Sequence, residues 1–144
     1  MESLDMAGHL IRRLHQRSTQ IFTLRTQAAG LDLTSVQFAA LDAIRAHPAS
    51  DQASIAELIA YDRATIGGVI DRLEQKGWVR RVVSARDRRA RELSLTEEGA
   101  RIHDALLPII RQLQDEILQP LTGADRARLL GLIRQTTRPA GDGG

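Results

Sequence analysis

The sequence predicts a mainly α-helical protein that carries one small β-hairpin, and two observations predict this fold class. Aromatic residues make up only 3% of the 144 residues, so Leu, Ile, Val and Ala must build most of the core, which favours helices. Apolar residues recur at three- and four-residue spacing along most of the chain, and a strand-like pattern replaces that spacing only between positions 78 and 95. With 42% apolar and 26% charged residues, a chain of this length suits one globular domain.

The first two helices follow from apolar spacing and capping residues. Apolar side chains between Leu10 and Ala28 recur every three or four residues, which predicts a helix over about residues 5–30. Thr34 or Ser35 is expected to cap the second helix, which ends before Pro48.

Two shorter helices follow, separated by a tight turn. Ser54 is expected to cap the first, over 55–60, and the second is expected from about Ala64 to Lys76. Two helices in this arrangement match a DNA-binding helix–turn–helix, whose second helix enters the major groove. We therefore interpret the helix over 64–76 as a recognition helix.

A change of period marks a β-hairpin after these helices. The runs 78–83 and 91–95 have strand character, and the polar, arginine-rich connection 84–90 joins them. The apolar positions of the two strands are Val79, Val82, Leu93 and Leu95. A helix–turn–helix followed by such a hairpin indicates a winged helix–turn–helix over about residues 34–95.

Helices extend this winged unit at both ends. Thr96 is expected to cap a long helix, which Pro108 should bend, and a last helix is expected over about 124–137. The whole of 1–138 then forms one domain, with dimerisation helices over 5–30 and 96–138. The tail 139–144 has no apolar anchor and is expected to be disordered.

Positive charge is concentrated in one part of the chain. The net charge is only +2, but residues 63–91 hold nine basic and three acidic residues, a local net charge of +6. A polyanionic partner requires such a concentration of positive charge. Double-stranded DNA is therefore the expected partner.

The first turns of the predicted recognition helix display polar side chains and two glycines away from the apolar stripe. Consecutive glycines inside a helix cost about 1 kcal/mol each relative to alanine. Close approach of the helix backbone to DNA would explain them, and packing against a neighbouring helix is the alternative. Together with two serines near helix starts and the arginines of the hairpin, the candidate DNA contacts are Ser35, Ser54, Arg63, Thr65, Gly67, Gly68, Asp71, Arg72, Arg86, Arg88 and Arg89.

Arg86, Arg88 and Arg89 lie within four residues at the hairpin tip, where no apolar side chain fixes them. Arginine favours a narrow minor groove because the negative potential is enhanced there. A solvated charged loop is the alternative, and the adjacent helix–turn–helix favours DNA contact. Asp87 is expected to pair with an arginine as an internal brace that holds the shape of this wing.

These residues also carry a family resemblance. The stretches 62–81 and 87–99, together with Leu33–Leu41, resemble the MarR family of bacterial transcriptional regulators over roughly residues 8–137. Residues 9–16 are similar to the branch that controls degradation of small aromatic acids, including nicotinate-type compounds. The resemblance implies a homodimer joined through its first and last helices, which represses transcription from a pseudo-palindromic operator and releases it when a small anionic aromatic ligand binds. The surplus of apolar residues in these helices agrees with a dimer.

Polar residues suited to such a ligand cluster early in the chain. An arginine fork supported by histidine or glutamine would hold a carboxylate well. Surface or dimer-interface positions are the alternative interpretation. The candidate effector contacts are His9, Arg12, Arg13, His15, Gln16 and Phe38. Asp42 lies one turn from Phe38 and would face the same crevice, with a core position as the favoured alternative for Phe38. His103 is expected at the dimer interface rather than in contact with a ligand.

Several other functions are disfavoured by the sequence. The chain has no cysteine, which excludes thiol-based sensing, and its four histidines lack metal-site spacing, so no metal or cofactor is expected. No catalytic or phosphate-binding motif is present. No apolar run is long enough for a membrane span, and a cytoplasmic protein is expected. A sequence-tolerant architectural DNA-binding protein is the main alternative to a regulator; a helix–turn–helix used for protein contacts would not need the +6 segment.

Overall fold

The computed structural model describes residues 1–139, which fold into six α-helices and one antiparallel β-hairpin. The elements, in chain order, are a 3-10 helix over Glu2–Asp5, then α1 (Ala7–Ala28), α2 (Ser35–Ala46), α3 (Gln52–Leu58), α4 (Ile66–Gln75), β1 (Val79–Val83), β2 (Arg91–Leu95), α5 (Glu97–Ile117) and α6 (Gly123–Thr137). The predicted fold class and the predicted order of helices and strands are confirmed. Of the tail 139–144, for which disorder was expected, residues 140–144 lie outside the described part.

Hydrogen bonds at the helix starts explain where α2 and α5 begin. Thr34 caps α2 with a capping box, in which its side chain accepts from the Gln37 N–H at 3.1 Å and the Gln37 side chain accepts from the Thr34 N–H at 3.0 Å. The Thr96 hydroxyl accepts from the Gly99 N–H at 3.0 Å, so Thr96 caps α5 as expected. None of the helices within residues 1–139 is both long and apolar enough to cross a membrane.

The predicted cap of α3 is wrong. Asp51 caps this helix, and its carboxylate accepts a hydrogen bond from the Ser54 N–H at 2.8 Å. Ser54 is therefore the third residue of the helix, and it supplies the donor that the cap satisfies. The helix also ends earlier than expected, at Leu58, because Ala60 adopts the left-handed conformation with φ of 54°.

The start of α4 also differs from the prediction. The helix begins at Ile66 rather than near Ala64, since residues 63–65 form a turn held by Asp62. The Asp62 carbonyl accepts from the Thr65 and Ile66 N–H groups, and its carboxylate accepts from the Ala64 N–H at 3.0 Å. This aspartate organises the chain that enters α4.

One core joins α2, α3, α4, the hairpin and α5. Its fully buried side chains include Leu41, Ile44, Ile55, Ile66, Ile70, Leu73, Leu93 and Leu106. The hairpin pairs Val79 with Leu95 and Val83 with Arg91, and Trp78 precedes β1 instead of opening it. Val79 and Leu93 face this core, whereas Val82, the third apolar position of the hairpin named above, is 44% exposed.

The terminal helices contribute less to this core. Within α1, only Phe22 and Thr26 are buried, and Arg17 fastens the helix to α5 by donating to the carbonyls of Glu116 and Ile117, both at 2.9 Å. Helix α6 contains no buried residue. Large apolar side chains remain exposed on these two helices at Leu10, Ile11, Leu24, Leu132 and Ile133.

Candidate nucleic-acid interface

Helix α4 has two distinct faces. Ile66, Ile70 and Leu73 are buried in the core, whereas Gly68, Asp71 and Arg72 are exposed. Arg63 and Thr65 are exposed as well and lie in the turn before the helix. The remaining predicted contacts of this group are Gly67, which is half-buried on α4; Ser54, which is exposed on α3; and Ser35, which is half-buried at the start of α2.

The two glycines of α4 have free space beside them. A Cβ at Gly68 would meet nothing within 4 Å, and one at Gly67 would meet only the Gln52 side-chain nitrogen, at an ordinary 3.7 Å. Gly99 in α5 is different, because a Cβ there would overlap the backbone carbonyl of Trp78. Close packing against another segment of the chain therefore explains Gly99, which lies against the backbone before β1, but not the pair in α4.

Arg81 is a structural residue that the sequence analysis missed. Its guanidinium donates to Gln52 on α3 at 2.6 Å, pairs with Asp71 on α4 and lies 3.5 Å from the Glu74 carboxylate. Burial opposes the charge of this group, but the hydrogen bond to Asp71 and the negative charges of Asp71 and Glu74 outweigh burial and raise the pKa of Arg81. One guanidinium thus joins α3, α4 and β1.

The ion pair with Arg81 changes the interpretation of Asp71. This residue was predicted to contact DNA, and it is exposed, but its carboxylate is engaged by β1 within the same chain. Strand periodicity contained a signal for this pairing. Arg81 lies two residues after the buried Val79 and so shares its face, towards the two acidic residues of α4.

The arginines of the wing are presented to solvent. Arg86, Arg88 and Arg89 are all exposed, and within residues 1–139 none of them forms an ion pair. Asp87 does brace the loop, but not by the predicted pairing with an arginine side chain. Its carboxylate accepts from the backbone N–H of Arg89 at 3.0 Å, and its carbonyl accepts from the Ala90 N–H. This geometry leaves the guanidinium groups of the tip available to a partner.

Five of the predicted effector residues line one open cavity on the surface of α1. The cavity has a volume of about 570 Å³ and lies along a single face of α1; its lining residues are His9, Arg12, Arg13, His15, Gln16, Thr19 and Gln20. All seven belong to one helix, so α1 forms one wall of this cavity. Phe38 is not part of it, because its ring stacks on His103 with centroids 5.8 Å apart.

His103 connects α5 to α2 inside the chain. It is buried, its Nε2 lies 2.7 Å from the Asp42 carboxylate, and its Nδ1 lies 3.2 Å from the Arg45 guanidinium. A guanidinium only donates, so Nδ1 accepts and Nε2–H donates to Asp42. His103 was expected at a dimer interface; that expectation is wrong, since the residue lies between two helices of one chain.

Across residues 1–139, no group of three or more acidic or histidine side chains is placed to hold a metal ion.

The comparisons with known proteins agree with each other. A sequence model of the MarR family matches residues 33–90. The transcriptional repressor NicR of Pseudomonas putida is 38% identical over 131 residues, which cover 91% of this chain and 82% of NicR.

Two solved structures extend the similarity to nearly the whole chain. BpsR of Bordetella bronchiseptica, whose DNA binding is regulated by 6-hydroxynicotinic acid, superposes with a TM-score of 0.87 at 29% identity, over 94% of this chain and 96% of BpsR. The repressor CouR, bound to a 23-mer DNA duplex, gives a TM-score of 0.84 at 28% identity, over 95% of this chain and 96% of CouR.

Proposed function

Since the chain belongs to the MarR family of transcriptional regulators, we propose that it is a homodimeric repressor of a pseudo-palindromic operator, released from DNA by a small aromatic or heteroaromatic carboxylate. One observation carries the DNA-binding part of the proposal. Three exposed wing arginines, which form no ion pair with any of residues 1–139, stand in a segment with a net charge of +6. Phosphates of DNA would neutralise these charges.

The winged unit of residues 34–95 presents two elements to DNA. The start of α4, with Arg63 and Thr65 just before it, enters the major groove, and the open space beside Gly67 and Gly68 lets the helix backbone approach a strand closely. The wing reaches the flanking minor groove, where arginine meets the strongest negative potential. CouR, of similar fold, binds a DNA duplex.

The dimer follows from the apolar side chains that one chain leaves uncovered. Helix α6 buries none of its residues, and Leu132 and Ile133 are 51% and 39% exposed. Leu10 and Ile11 of α1 are exposed in the same way. A second copy that covers α1 and α6 by two-fold symmetry would place the two recognition helices about one turn of DNA apart.

The effector site is assigned to the cavity on α1. Arg12 and Arg13 offer guanidinium groups for a carboxylate, and His9, His15 and Gln16 supply further hydrogen-bonding groups around it. A volume of about 570 Å³ accommodates a substituted aromatic acid. BpsR, of similar fold, responds to 6-hydroxynicotinic acid, which is a ligand of this class.

The test is a titration of the purified protein against the promoter DNA beside its own gene, repeated with hydroxynicotinate, nicotinate and hydroxybenzoate, and with neutral phenols as controls. The proposal expects tight binding to this DNA, weak binding to random DNA, and release by one carboxylate only. Equal affinity for all DNA would favour the architectural alternative. Selective binding that no carboxylate weakens would reject the effector assignment alone.

A pair of variants separates the ligand site from the DNA site. Arg12→Gln should keep the wild-type affinity for promoter DNA and lose the response to the carboxylate. Arg111→Gln on α5 removes an exposed arginine that does not line the cavity, and it should keep both properties. An unchanged response in Arg12→Gln would place the ligand elsewhere.

A further inference from the structure

The loop of the wing is shaped by hydrogen bonds and not by apolar contacts. Its seven residues, 84–90, contain no large apolar side chain, yet Ser84 is only 6% exposed. A buried serine at the base of a charged, solvent-facing loop is unusual, because most serines are exposed and a buried hydroxyl needs partners.

The Ser84 hydroxyl uses its full hydrogen-bonding capacity within the wing. Its oxygen accepts from the backbone N–H of Arg86 at 3.1 Å and of Asp87 at 3.3 Å, and its hydrogen is donated to the Glu92 carboxylate at 2.9 Å. The Ser84 backbone N–H also donates to the Ala90 carbonyl at 3.0 Å, which closes the loop. Ser84 therefore holds the start of the turn that carries the arginines through its hydroxyl, and its backbone N–H closes the loop at Ala90.

Glu92 has a single partner in this arrangement. It lies on β2 opposite Val82, is half-buried, and pairs with no arginine among residues 1–139, although the segment around it is strongly basic. A carboxylate there lowers the attraction of the wing to phosphates. Its contribution to the structure is to hold the Ser84 hydroxyl in the orientation that leaves both lone pairs facing the loop N–H groups.

We propose that Ser84 and Glu92 are positioning residues for DNA binding, which hold the wing loop in the conformation that presents Arg88 and Arg89. The proposal rests on the DNA contact of the wing proposed above. A loop ordered before binding loses less conformational entropy when it enters the minor groove, so the same arginine contacts give tighter binding. Neither Ser84 nor Glu92 touches DNA in this account.

The experiment measures the Kd for promoter DNA and its salt dependence in single variants and in a background that lacks Arg88 and Arg89. Ser84→Ala should raise the Kd about fivefold to tenfold with an unchanged salt slope, because the number of phosphate contacts stays the same. In the Arg88→Ala/Arg89→Ala background, Ser84→Ala should have no further effect, because the loop then has no arginines to position.

Two variants of Glu92 give an independent test, because they are expected to change the affinity for DNA in opposite directions. Glu92→Gln removes the negative charge but keeps an oxygen that accepts from Ser84, so binding should equal or exceed that of the wild type. Glu92→Ala removes the charge and the acceptor, and binding should weaken. Ser94→Ala, which removes the hydroxyl of β2, is the matched control and should leave the Kd unchanged. Thermal unfolding of each variant verifies that it is folded.

Three results would overturn the proposal. If Ser84→Ala binds like the wild type while Arg88→Ala/Arg89→Ala binds weakly, the wing contacts DNA but Ser84 does not position it. If Ser84→Ala weakens binding equally in both backgrounds, its effect does not act through the arginines. If Arg88→Ala/Arg89→Ala itself binds like the wild type, the wing contact fails, and the proposal that depends on it fails for that separate reason.

Discussion

The winged unit and the terminal helices differ in how completely a single chain buries their apolar side chains. In the winged unit, Leu41, Ile44 and Ile70 have no exposed surface, and the Arg81 guanidinium ties three elements together. In α6, by contrast, no residue is buried, although the helix carries four large aliphatic side chains. The winged unit therefore buries its apolar side chains within one chain, whereas those of the terminal helices would be covered by the second chain of the proposed dimer.

Helix α5 belongs to both regions. Ile102, Leu106 and Leu113 are buried in the common core, and His103 bonds to Asp42 on α2, so the helix is anchored in the winged unit. At its other end it supports α1 through Arg17. In the proposed regulator, α5 is the element through which a movement of α1 on ligand binding would reach the winged unit. An experiment on the association of two chains must keep α5 intact, because loss of this helix would remove part of the core.

The largest effect on association and DNA binding is expected from two negative charges placed on α6. Leu132→Asp/Ile133→Asp should convert the dimer to a monomer of 15.9 kDa in sedimentation, and should weaken binding to a two-half-site operator about a thousandfold, because the two recognition helices no longer act together. Leu58→Asp is the control for association, since Leu58 is 52% exposed but lies in the winged unit. A dimer that survives the double substitution would place the interface elsewhere.

The next largest effect is expected at Gly99. A methyl group there overlaps the Trp78 carbonyl, and backbone cannot move aside as a flexible side chain does, so Gly99→Ala should destabilise the fold by about 3 kcal/mol. Chemical denaturation measures the change. A variant as stable as the wild type would mean that α5 does not pack closely on the winged unit.

Gly68→Ala should act in the opposite direction on stability and lower DNA affinity. The position is open in the free protein, so alanine should stabilise α4 by about 0.5–1 kcal/mol. If the helix backbone approaches DNA, the added methyl should raise the operator Kd about tenfold. Chemical denaturation and DNA titration of the same sample measure the expected gain in stability and the expected loss of affinity. Unchanged DNA affinity would mean that the backbone of α4 does not approach DNA closely.

The smallest effect is expected on the stability of the fold at acidic pH. The hydrogen bond from the Ser54 N–H, assisted by Arg63, holds the pKa of the Asp51 carboxyl below its usual range. Its contribution to stability is therefore complete above the unfolded-state value of about 3.9 and is lost as the pH falls through the lower folded-state value. Asp51→Ala should be less stable than the wild type by about 1 kcal/mol at pH 6, and this difference in stability should be smaller at pH 2.

For the same position, Asp51→Asn keeps a capping oxygen without a titratable group. This variant should retain most of the stability at pH 6. The difference between its free energy of unfolding and that of the wild type should vary with pH in the acid range where Asp51 becomes protonated. If the difference between Asp51→Ala and the wild type is the same at pH 6 and pH 2, the cap contributes nothing that depends on charge.

Local patterns were sufficient to predict most of the fold. Thr34 and Thr96 cap their helices through bonds to their own neighbours, and the change of period near Trp78 marks the hairpin. The errors arose where a choice depended on competition between nearby groups. Asp51 and Ser54 are both good caps, and only the folded chain shows which one accepts the hydrogen bond.

The candidate site was less predictable, because its contacts join distant parts of the chain. The exposed arginines of the wing followed from charge and composition. The contact of Arg81 with Gln52 did not, since the two residues lie 29 positions apart, and neither did the stacking of Phe38 on His103. Ser84 carried no motif, and its importance became visible only when its hydroxyl was found buried between Glu92 and the loop backbone.

Amide hydrogen exchange in the wild type and in Leu132→Asp/Ile133→Asp gives the most direct test of the central claim. It measures whether the winged unit is stable within one chain while the terminal helices depend on a second chain. The account predicts that α2 and α4 keep their protection in the variant, whereas α6 and the first half of α1 lose theirs. Loss of protection in α2 and α4 together with α6 would contradict it, because the winged unit would then depend on the second chain. Protection of α6 that persists in the variant would contradict it equally.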